Sequence, residues 1–370
     1  MNEIKIIKVT NKKDLKKFIE FPFSLYKADP FWVPPLKGDM YNMFNEKKNP
    51  FLDHGTIQPF IAIINGKVVG RVCAIIDRNF IEFHGEKTGY FGFFESIDNT
   101  SVAKGLLKRA EEFLKEHDLE RLIGPMNPST NDECGMLLEG YDDSPRIMMT
   151  YNFPYYHRLM EECGYGKSKD LFAFHMDIRE GPPEKLSKFT KRIKERRNIK
   201  IQHINMKNFK EELEKVKAVY NSAWEKNWGF VPMTDAELDH MAKDLKPLVI
   251  GDLVQFAEID GEIVGFMWTM PDYNHVLKKM NGKMNIFKFL KHKKGIKWAR
   301  LITLGIKEGY RKQGIDALFF DDAFKTAEKL GYTHAEFSWV LEENVLVHRA
   351  AKFMNGELYK KYRIYGKEFK

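Results

Sequence analysis

The segment Ile306–Leu318 reads IKEGYRKQGIDAL and contains the residue types of an anion-binding turn. It follows the apolar strand LITLG and opens a helix, whose first backbone N–H groups have no partner within the helix. Those groups, together with the partial positive charge of a helix N-terminus, suit a diphosphate. Gly314 lets the backbone approach phosphate closely. Arg311 and Lys312 add cationic donors.

Asp316 does not fit this pattern, because a carboxylate in the first turn of a helix repels phosphate unless it points away. An ordinary helix N-terminus with basic residues is the alternative interpretation of the turn. The residue spacing alone is a weak signal for a diphosphate site. The position of the turn between a strand and a helix makes that signal more specific.

The elements around the turn are repeated in the first half of the chain. Phe60–Gly70 reads FIAIINGKVVG and Phe256–Gly265 reads FAEIDGEIVG, so each is a strand, an Asn-Gly or Asp-Gly turn and a second strand. Each half adds a strand, an amphipathic helix and another strand, and each begins with a short strand and a helix. Chance similarity of two generic αβ units is the alternative.

This repeat predicts an α+β (α/β) protein of two domains, 1–180 and 181–370. Each is expected to be a mixed, mainly antiparallel sheet flanked by helices. The polar segment Arg179–Lys185, REGPPEK, suits the boundary. The basic stretch at 275–295, HVLKKMNGKMNIFKFLKHKKG, is extra in the second half and is expected to be a surface insertion.

The turn and its context resemble the cofactor signature of the GNAT (N-acetyltransferase) superfamily. In that signature a valine-like residue and a proline precede Arg/Gln-x-x-Gly-x-Gly/Ala. Ile306, Arg311 and Gly314 match it, whereas Glu308 replaces the proline and Asp316 the second small residue.

The resemblance implies that acetyl-CoA or another acyl-CoA binds here, and that the acyl group passes to a small-molecule or peptide amine. The backbone of the strand end would polarise the acyl carbonyl. The implied cofactor-binding residues are Gly305, Ile306, Arg311, Lys312, Gln313, Gly314, Ile315, Asp316 and Asn344.

The proton donor for the departing thiolate is less clearly marked. Many superfamily members place a tyrosine seven residues after the asparagine that corresponds to Asn344, and here that residue is Ala351. His348 and Tyr359 are candidate general acids, with Tyr362 as a rival. A helix N-cap for Asn344 and a surface role for His348 are the structural alternatives.

The first half has Asp98–Ser101, DNTS, at the position of the cofactor turn, without cation or glycine. We therefore expect that half not to bind CoA in the usual mode. Nearly the whole chain, including PFWVPPL and YNSAWEKNWGFVP, resembles a bacterial family of tandem GNAT-like proteins with no established substrate. A catalytically silent binding protein and a tRNA-dependent aminoacyl transferase are the alternative functions.

Composition narrows the remaining classes. The chain of 370 residues carries a formal charge of +8, and charged residues interrupt every apolar run short of a membrane span. Three scattered cysteines and no recognisable signal peptide indicate the cytoplasm, with no membrane partner expected. The histidines lack metal-ligand spacing, so no metal is expected. The basic run KFTKRIKERRNIK lacks a recognisable nucleic-acid module, so nucleic acid is not favoured.

Overall fold

The computed structural model describes residues 3–196, 198–225 and 227–369, and at residue 222 the backbone alone. The chain divides into two compact units. Unit 1 contains Met1–Leu171, Val276–His292 and Lys360–Lys370, and unit 2 contains Phe172–His275 and Lys293–Tyr359. The domain limits predicted from the sequence stay a proposal.

The helices and strands follow in chain order. They are β1 (Lys5–Lys8), α1 (Lys12–Leu25), α2 (Lys37–Met43), α3 (Phe51–His54), β2 (Gly55–Ile64), β3 (Lys67–Asp77), α4 (Arg78–His84), β4 (Thr88–Ser96), α5 (Thr100–Lys115), β5 (Arg121–Gly124), β6 (Met126–Asn127), β7 (Glu133–Cys134), β8 (Met136–Glu139), α6 (Tyr156–Glu162), β9 (Gly166–Asp177), α7 (Glu184–Arg196), β10 (Ile199–His203), α8 (Phe209–Trp224), α9 (Asp235–Leu245), β11 (Val254–Ile259), β12 (Glu262–Pro271), α10 (Asn274–Met280), α11 (Ile286–Lys293), β13 (Trp298–Ile306), α12 (Ile315–Lys329), β14 (His334–Leu341), α13 (Val345–Phe353) and β15 (Glu357–Glu368).

Unit 1 is built on a sheet with the strand order β1-β2-β3-β4-β5-β15. The pair β4–β5 is parallel and the other pairs in this order are antiparallel. Helix α5 buries Val102, Leu106, Ala110 and Phe113, which recur at intervals of three and four residues. That spacing gives one apolar face, which packs on the sheet.

Unit 2 repeats this plan with the order β14-β13-β12-β11-β10. Here β13–β14 is the parallel pair, and the other pairs are antiparallel. Helix α12 packs with α7 and α13 in the core on one face of the sheet, whereas α8 covers the other face. The prediction of mixed, mainly antiparallel strands flanked by helices in each half is confirmed.

The two predicted hairpins are also present. Asn65 and Gly66 have φ of 49° and 75°, and Asp260 and Gly261 have φ of 50° and 84°. Two consecutive residues with positive φ match the twist of the flanking strands in a two-residue turn. The turn dipeptides therefore fix the register of both hairpins.

Two details differ from the sequence-based expectation or refine it. A single strand, β15, follows α13. The basic insertion forms two helices, α10 and α11, between β12 and β13, whereas the corresponding connection in unit 1 is the single helix α4.

Candidate functional site

Strands β13 and β14 of unit 2 diverge after a short paired stretch. They pair from Trp298 opposite His334 to Leu301 opposite Phe337, although β13 continues to Ile306. Strand β13 also has a bulge at this point. Thr303 lies opposite Trp268 of β12 and Leu301 opposite Thr269, so the residue between them is extra. The second half of β13 therefore presents one backbone edge that β14 does not pair.

The N-terminus of α12 lies at the end of β13. Gly314 is its N-cap, with a φ of 83° and no side-chain hydrogen bond to the first turn. A β-carbon at this position would come within 2.3 Å of Ile193 Cδ1 on α7. Both the backbone conformation and the close approach of α7 therefore require glycine. The helix keeps its first N–H groups and partial positive charge without a side-chain cap.

Arg311 holds this loop to its surroundings. Its Nε donates to the carbonyl of Ile306 at 3.1 Å and its Nη2 to the carbonyl of Ala223 at 2.7 Å. Ala223 lies in the last turn of α8, where a cation is favoured by the helix dipole. Arg311, which the sequence predicts to bind phosphate, therefore also positions the loop against α8.

A second set of contacts fixes the start of the loop. Glu262 on β12 accepts hydrogen bonds from Lys307 Nζ and from the Tyr310 hydroxyl, both at 2.8 Å. The bond from Lys307, with that from Tyr310, lowers the pKa of Glu262. This leaves Lys312, with a φ of 60°, as an exposed cation of the loop that has no partner among the residues the structure describes.

The other residues of the predicted turn have distinct environments. Gly305 lies under α8, where a β-carbon would be 2.4 Å from the Trp224 ring. Ile315 is fully buried, whereas Asp316 is half-buried in the first turn. Gln313 donates to the carbonyl of Gly309 at 3.3 Å.

Asn344 and His348 are both on or next to α13. Asn344 is the N-cap of that helix, and its Oδ1 accepts from Val347 N at 3.3 Å. His348 Nε2 lies 3.1 Å from the carbonyl of Leu341, and its ring packs edge-on against Phe172 and Phe174. The helix-cap alternative thus describes the contact of Asn344, while roles for both in binding or catalysis stay predictions.

Tyr359 belongs to a polar cluster that the sequence did not reveal. Its hydroxyl donates to Glu336, whose other carboxylate oxygen accepts from Ser338 Oγ at 2.5 Å. Arg300 Nε donates to Ser338 Oγ at 2.9 Å and lies 3.4 Å from Glu336. Arg300 and Glu336 are opposite each other in the β13–β14 register, one step before the strands diverge. The sequence signal for this cluster is the presence of one charged residue within each of two otherwise apolar strands.

In unit 1 the corresponding gap, where β4 and β5 separate, is filled by the chain itself. Strands β4 and β5 pair from Thr88 opposite Arg121 to Tyr90 opposite Ile123, and β6 then crosses β4. A β-carbon at Gly92 would lie 1.9 Å from the carbonyl of Met126. The side chain of Asn127 accepts from Phe93 N at 2.7 Å.

In unit 1 the N-terminus of the next helix, α5, is also capped by a side chain. Asn99 Oδ1 accepts from the N–H groups of Ser101 and Val102, at 3.0 and 3.2 Å. Asp98 is paired with Arg158 at the same turn. Unit 1 therefore satisfies with a side chain the helix N–H groups that have no side-chain cap in unit 2.

Comparison with known proteins places this geometry in a family. No family model matches the chain. It is 35% identical to Protein YghO of Escherichia coli (strain K12), with 97% of this chain and 94% of that protein covered. It is 33% identical to the bacterial ceramide synthase of Caulobacter vibrioides, with 99% of this chain and 97% of that protein covered. The chain therefore belongs to the bacterial family of these two proteins.

Among solved structures, a tandem GNAT protein from the clavulanic acid biosynthesis pathway matches with a TM-score of 0.58. The match covers 99% of this chain and 98% of that chain at 12% identity, so it bears on the fold. The chain therefore has a tandem GNAT fold. The resemblance stated from the sequence is confirmed at the level of the fold.

Proposed function

We propose that unit 2 of this tandem GNAT protein transfers an acyl group from acyl-CoA to an amine. The observation that carries the proposal is the combination of an unpaired β13 edge with an uncapped α12 N-terminus at the end of the same strand. A thioester attached to a diphosphate needs both features, because its amide-containing arm can extend a sheet while its phosphates meet helix N–H groups.

In this arrangement the diphosphate accepts from the backbone N–H groups that follow Gly314. Lys312 supplies the exposed positive charge, and Arg311 keeps the loop in place through its two carbonyl contacts. The acyl-carrying arm lies along β13 beyond Leu301. Backbone N–H groups at the bulge stabilise the negative charge that develops on the thioester oxygen.

Apart from the proton transfers, the reaction forms one C–N bond and breaks one C–S bond. The neutral amine attacks the thioester carbon, the C–S bond breaks, and an amide and a CoA thiolate result. The amine gives up one proton and the thiolate takes one. Tyr359 is our candidate donor to the thiolate, because its hydroxyl belongs to the hydrogen-bonded cluster where β13 and β14 separate.

The name of the relative in Caulobacter vibrioides supports a more specific proposal for the substrates. A ceramide is the amide of a fatty acid and a long-chain amino alcohol. We therefore propose a long-chain acyl-CoA as donor and a long-chain amino alcohol as acceptor, with acetyl-CoA as the shorter alternative donor. All three cysteines are buried free thiols, which supports the cytoplasmic location that we also propose.

Isothermal titration with acetyl-CoA and with a long-chain acyl-CoA tests the proposal. We expect both to bind, and Lys312→Gln to weaken binding about fivefold through the loss of one charge-assisted contact. Lys104→Gln is the matched control, because Lys104 is an exposed lysine in the first two turns of α5, the corresponding helix of unit 1. Absence of binding by either ligand, or an equal loss in both variants, contradicts the assignment.

A further inference from the structure

Helix α11 and the residues before it expose large apolar side chains to solvent. The exposed fractions are 67% for Met284, 57% for Ile286, 83% for Phe287 and 58% for Leu290. Ile286, Phe287 and Leu290 fall within an arc of about 100° on the helix surface, because successive residues are about 100° apart. Leaving such an arc in water is unfavourable, so this surface calls for a partner.

The exposed helix is part of a segment that is anchored to unit 1 on its N-terminal side. Lys278 Nζ donates to Ser144 Oγ at 2.8 Å. The carbonyl of Gly282 accepts from Lys37 N at 3.0 Å, and a β-carbon at Gly282 would lie 2.4 Å from the Phe23 ring. Specific packing therefore ends just before the apolar residues that point outward.

Lysines surround the apolar arc. The stretch from 275 to 297 contains eight lysines and no aspartate or glutamate. In α11 and next to it, five are exposed, namely Lys283, Lys288, Lys291, Lys293 and Lys294. A helix with exposed aromatic and aliphatic residues flanked by cations is complementary to a bilayer that carries negative phosphate groups.

We propose that α11 is an interfacial anchor that inserts Ile286, Phe287 and Leu290 into an anionic membrane surface. The flanking lysines then lie at the level of the lipid phosphates, with their aliphatic stems along the apolar layer. No helix in the described part of the chain is long and apolar enough to cross a bilayer. An interfacial helix needs no such span, and this proposal differs from the sequence-based expectation of no membrane partner.

The inference rests on the exposure and charge of α11 and does not depend on the proposed reaction. Vesicle binding is measured without turnover, so a failure of acyl transfer and a failure of membrane binding give separate results. The two are nevertheless compatible, since a long-chain amino alcohol resides in a bilayer.

Co-flotation of the full-length protein with vesicles tests the anchor. One set contains phosphatidylcholine alone and the other phosphatidylcholine mixed with phosphatidylglycerol. We expect binding to the anionic set, and a loss of roughly tenfold or more in the double variant F287S and L290S. Changing Lys291 to Gln is expected to weaken binding about fivefold and to reduce its salt dependence.

Matched controls separate the anchor from a general effect of surface change. The double variant F83S and L330S removes two apolar residues of 39% and 38% exposure elsewhere, and K108Q removes one exposed lysine of α5. Both are expected to bind vesicles like the parent protein. Because the altered side chains are exposed, circular dichroism should show unchanged folding in every variant.

Two outcomes overturn the proposal. One is equal binding of the parent protein and the F287S and L290S variant to anionic vesicles. The other is no vesicle binding together with a dimer in analytical ultracentrifugation that the same variant dissociates, which assigns the apolar arc to a second copy of the chain.

Discussion

Strand β6 crosses the gap between β4 and β5 in unit 1, whereas no described strand crosses the gap between β13 and β14 in unit 2. The difference extends to the helices that follow. Asn99 caps α5 with its side chain, while Gly314 starts α12 without one. The same arrangement of strands and helices thus has a side-chain cap on its helix in unit 1 and none in unit 2.

Each unit also contains a Tyr–Glu–Arg cluster, in which the arginine of unit 1 is Arg71 at 3.7 Å from Glu95, and the two clusters differ in exposure. In unit 1, Tyr26 donates to Glu95 at 2.6 Å and only 1% of the tyrosine is exposed. In unit 2, Tyr359 donates to Glu336 and is half-buried. Tyr359 is the less buried of the two tyrosines, so the unit 2 cluster is the better candidate for proton transfer.

The largest expected effect follows from this contrast. Tyr359→Phe removes the proposed proton donor and is expected to lower kcat about 100-fold with little change in acyl-CoA affinity. Steady-state kinetics and isothermal titration measure the two quantities separately. Tyr26→Phe is the matched control and should leave kcat within a factor of about two, while it lowers the stability of unit 1. If both substitutions reduce kcat equally, the functional contrast between the clusters is lost.

The next effect concerns the start of α12. Gly314→Ala introduces a β-carbon next to Ile193 at a positive φ and should weaken acyl-CoA binding at least tenfold. Gly331→Ala is a matched control after the C-terminus of the same helix, because its φ is 84° and nothing lies within 4 Å of the added carbon. Titration of both variants separates the backbone strain, which they share, from the displacement of the α12 turn by the added carbon next to Ile193. Equal acyl-CoA affinities of the two variants would show that the α12 turn is not part of the binding site.

A smaller effect tests the closed gap of unit 1. Asn127→Ala deprives the N–H of Phe93 of its acceptor and should cost about 1 kcal/mol of stability. Hydrogen exchange monitored by mass spectrometry should show the loss in unit 1 peptides. Acyl-CoA affinity should stay unchanged, and a marked drop would mean that unit 1 also takes part in binding.

Patterns that are local in sequence predicted much of this structure. The Asn65-Gly66 and Asp260-Gly261 dipeptides predicted both hairpins, because positive φ at two successive residues specifies a tight turn. The apolar spacing in α5 predicted its buried face. The position of Gly314 between a strand and a helix predicted the uncapped turn.

Contacts between distant residues could not be predicted in this way. Asn127 reaches Phe93 only because β6 folds back over β4, and nothing in the run MNPSTND indicates that path. The partnership of Arg300 and Glu336 depends on strand register, which the two strand sequences leave open. The contact of Arg311 with Ala223 likewise requires the packing of α8 on the sheet.

The smallest effect is a difference in pH dependence between the units. In unit 2, His203 on β10 lies 2.8 Å from Asp322 of α12, and the hydrogen bond to that carboxylate raises the pKa of His203 above its ordinary value of 6.5. In unit 1, His157 is held among Tyr141, Tyr365 and the carbonyl of Leu137, and burial lowers the pKa of His157.

These shifts have opposite consequences for stability. The contribution of His203 is fully present below about pH 6.5 and is lost as the pH rises through its folded pKa. His157 is favoured neutral in the fold, so the unfolded chain takes up the proton first and unit 1 loses stability as the pH falls below about 6.5. Hydrogen exchange of each unit between pH 5 and 8, corrected for the intrinsic rate, measures both. Asp322→Asn should flatten the pH dependence of the stability of unit 2 and leave that of unit 1 intact. If the stability of both units declines in the same pH direction, the two histidines do not govern this difference.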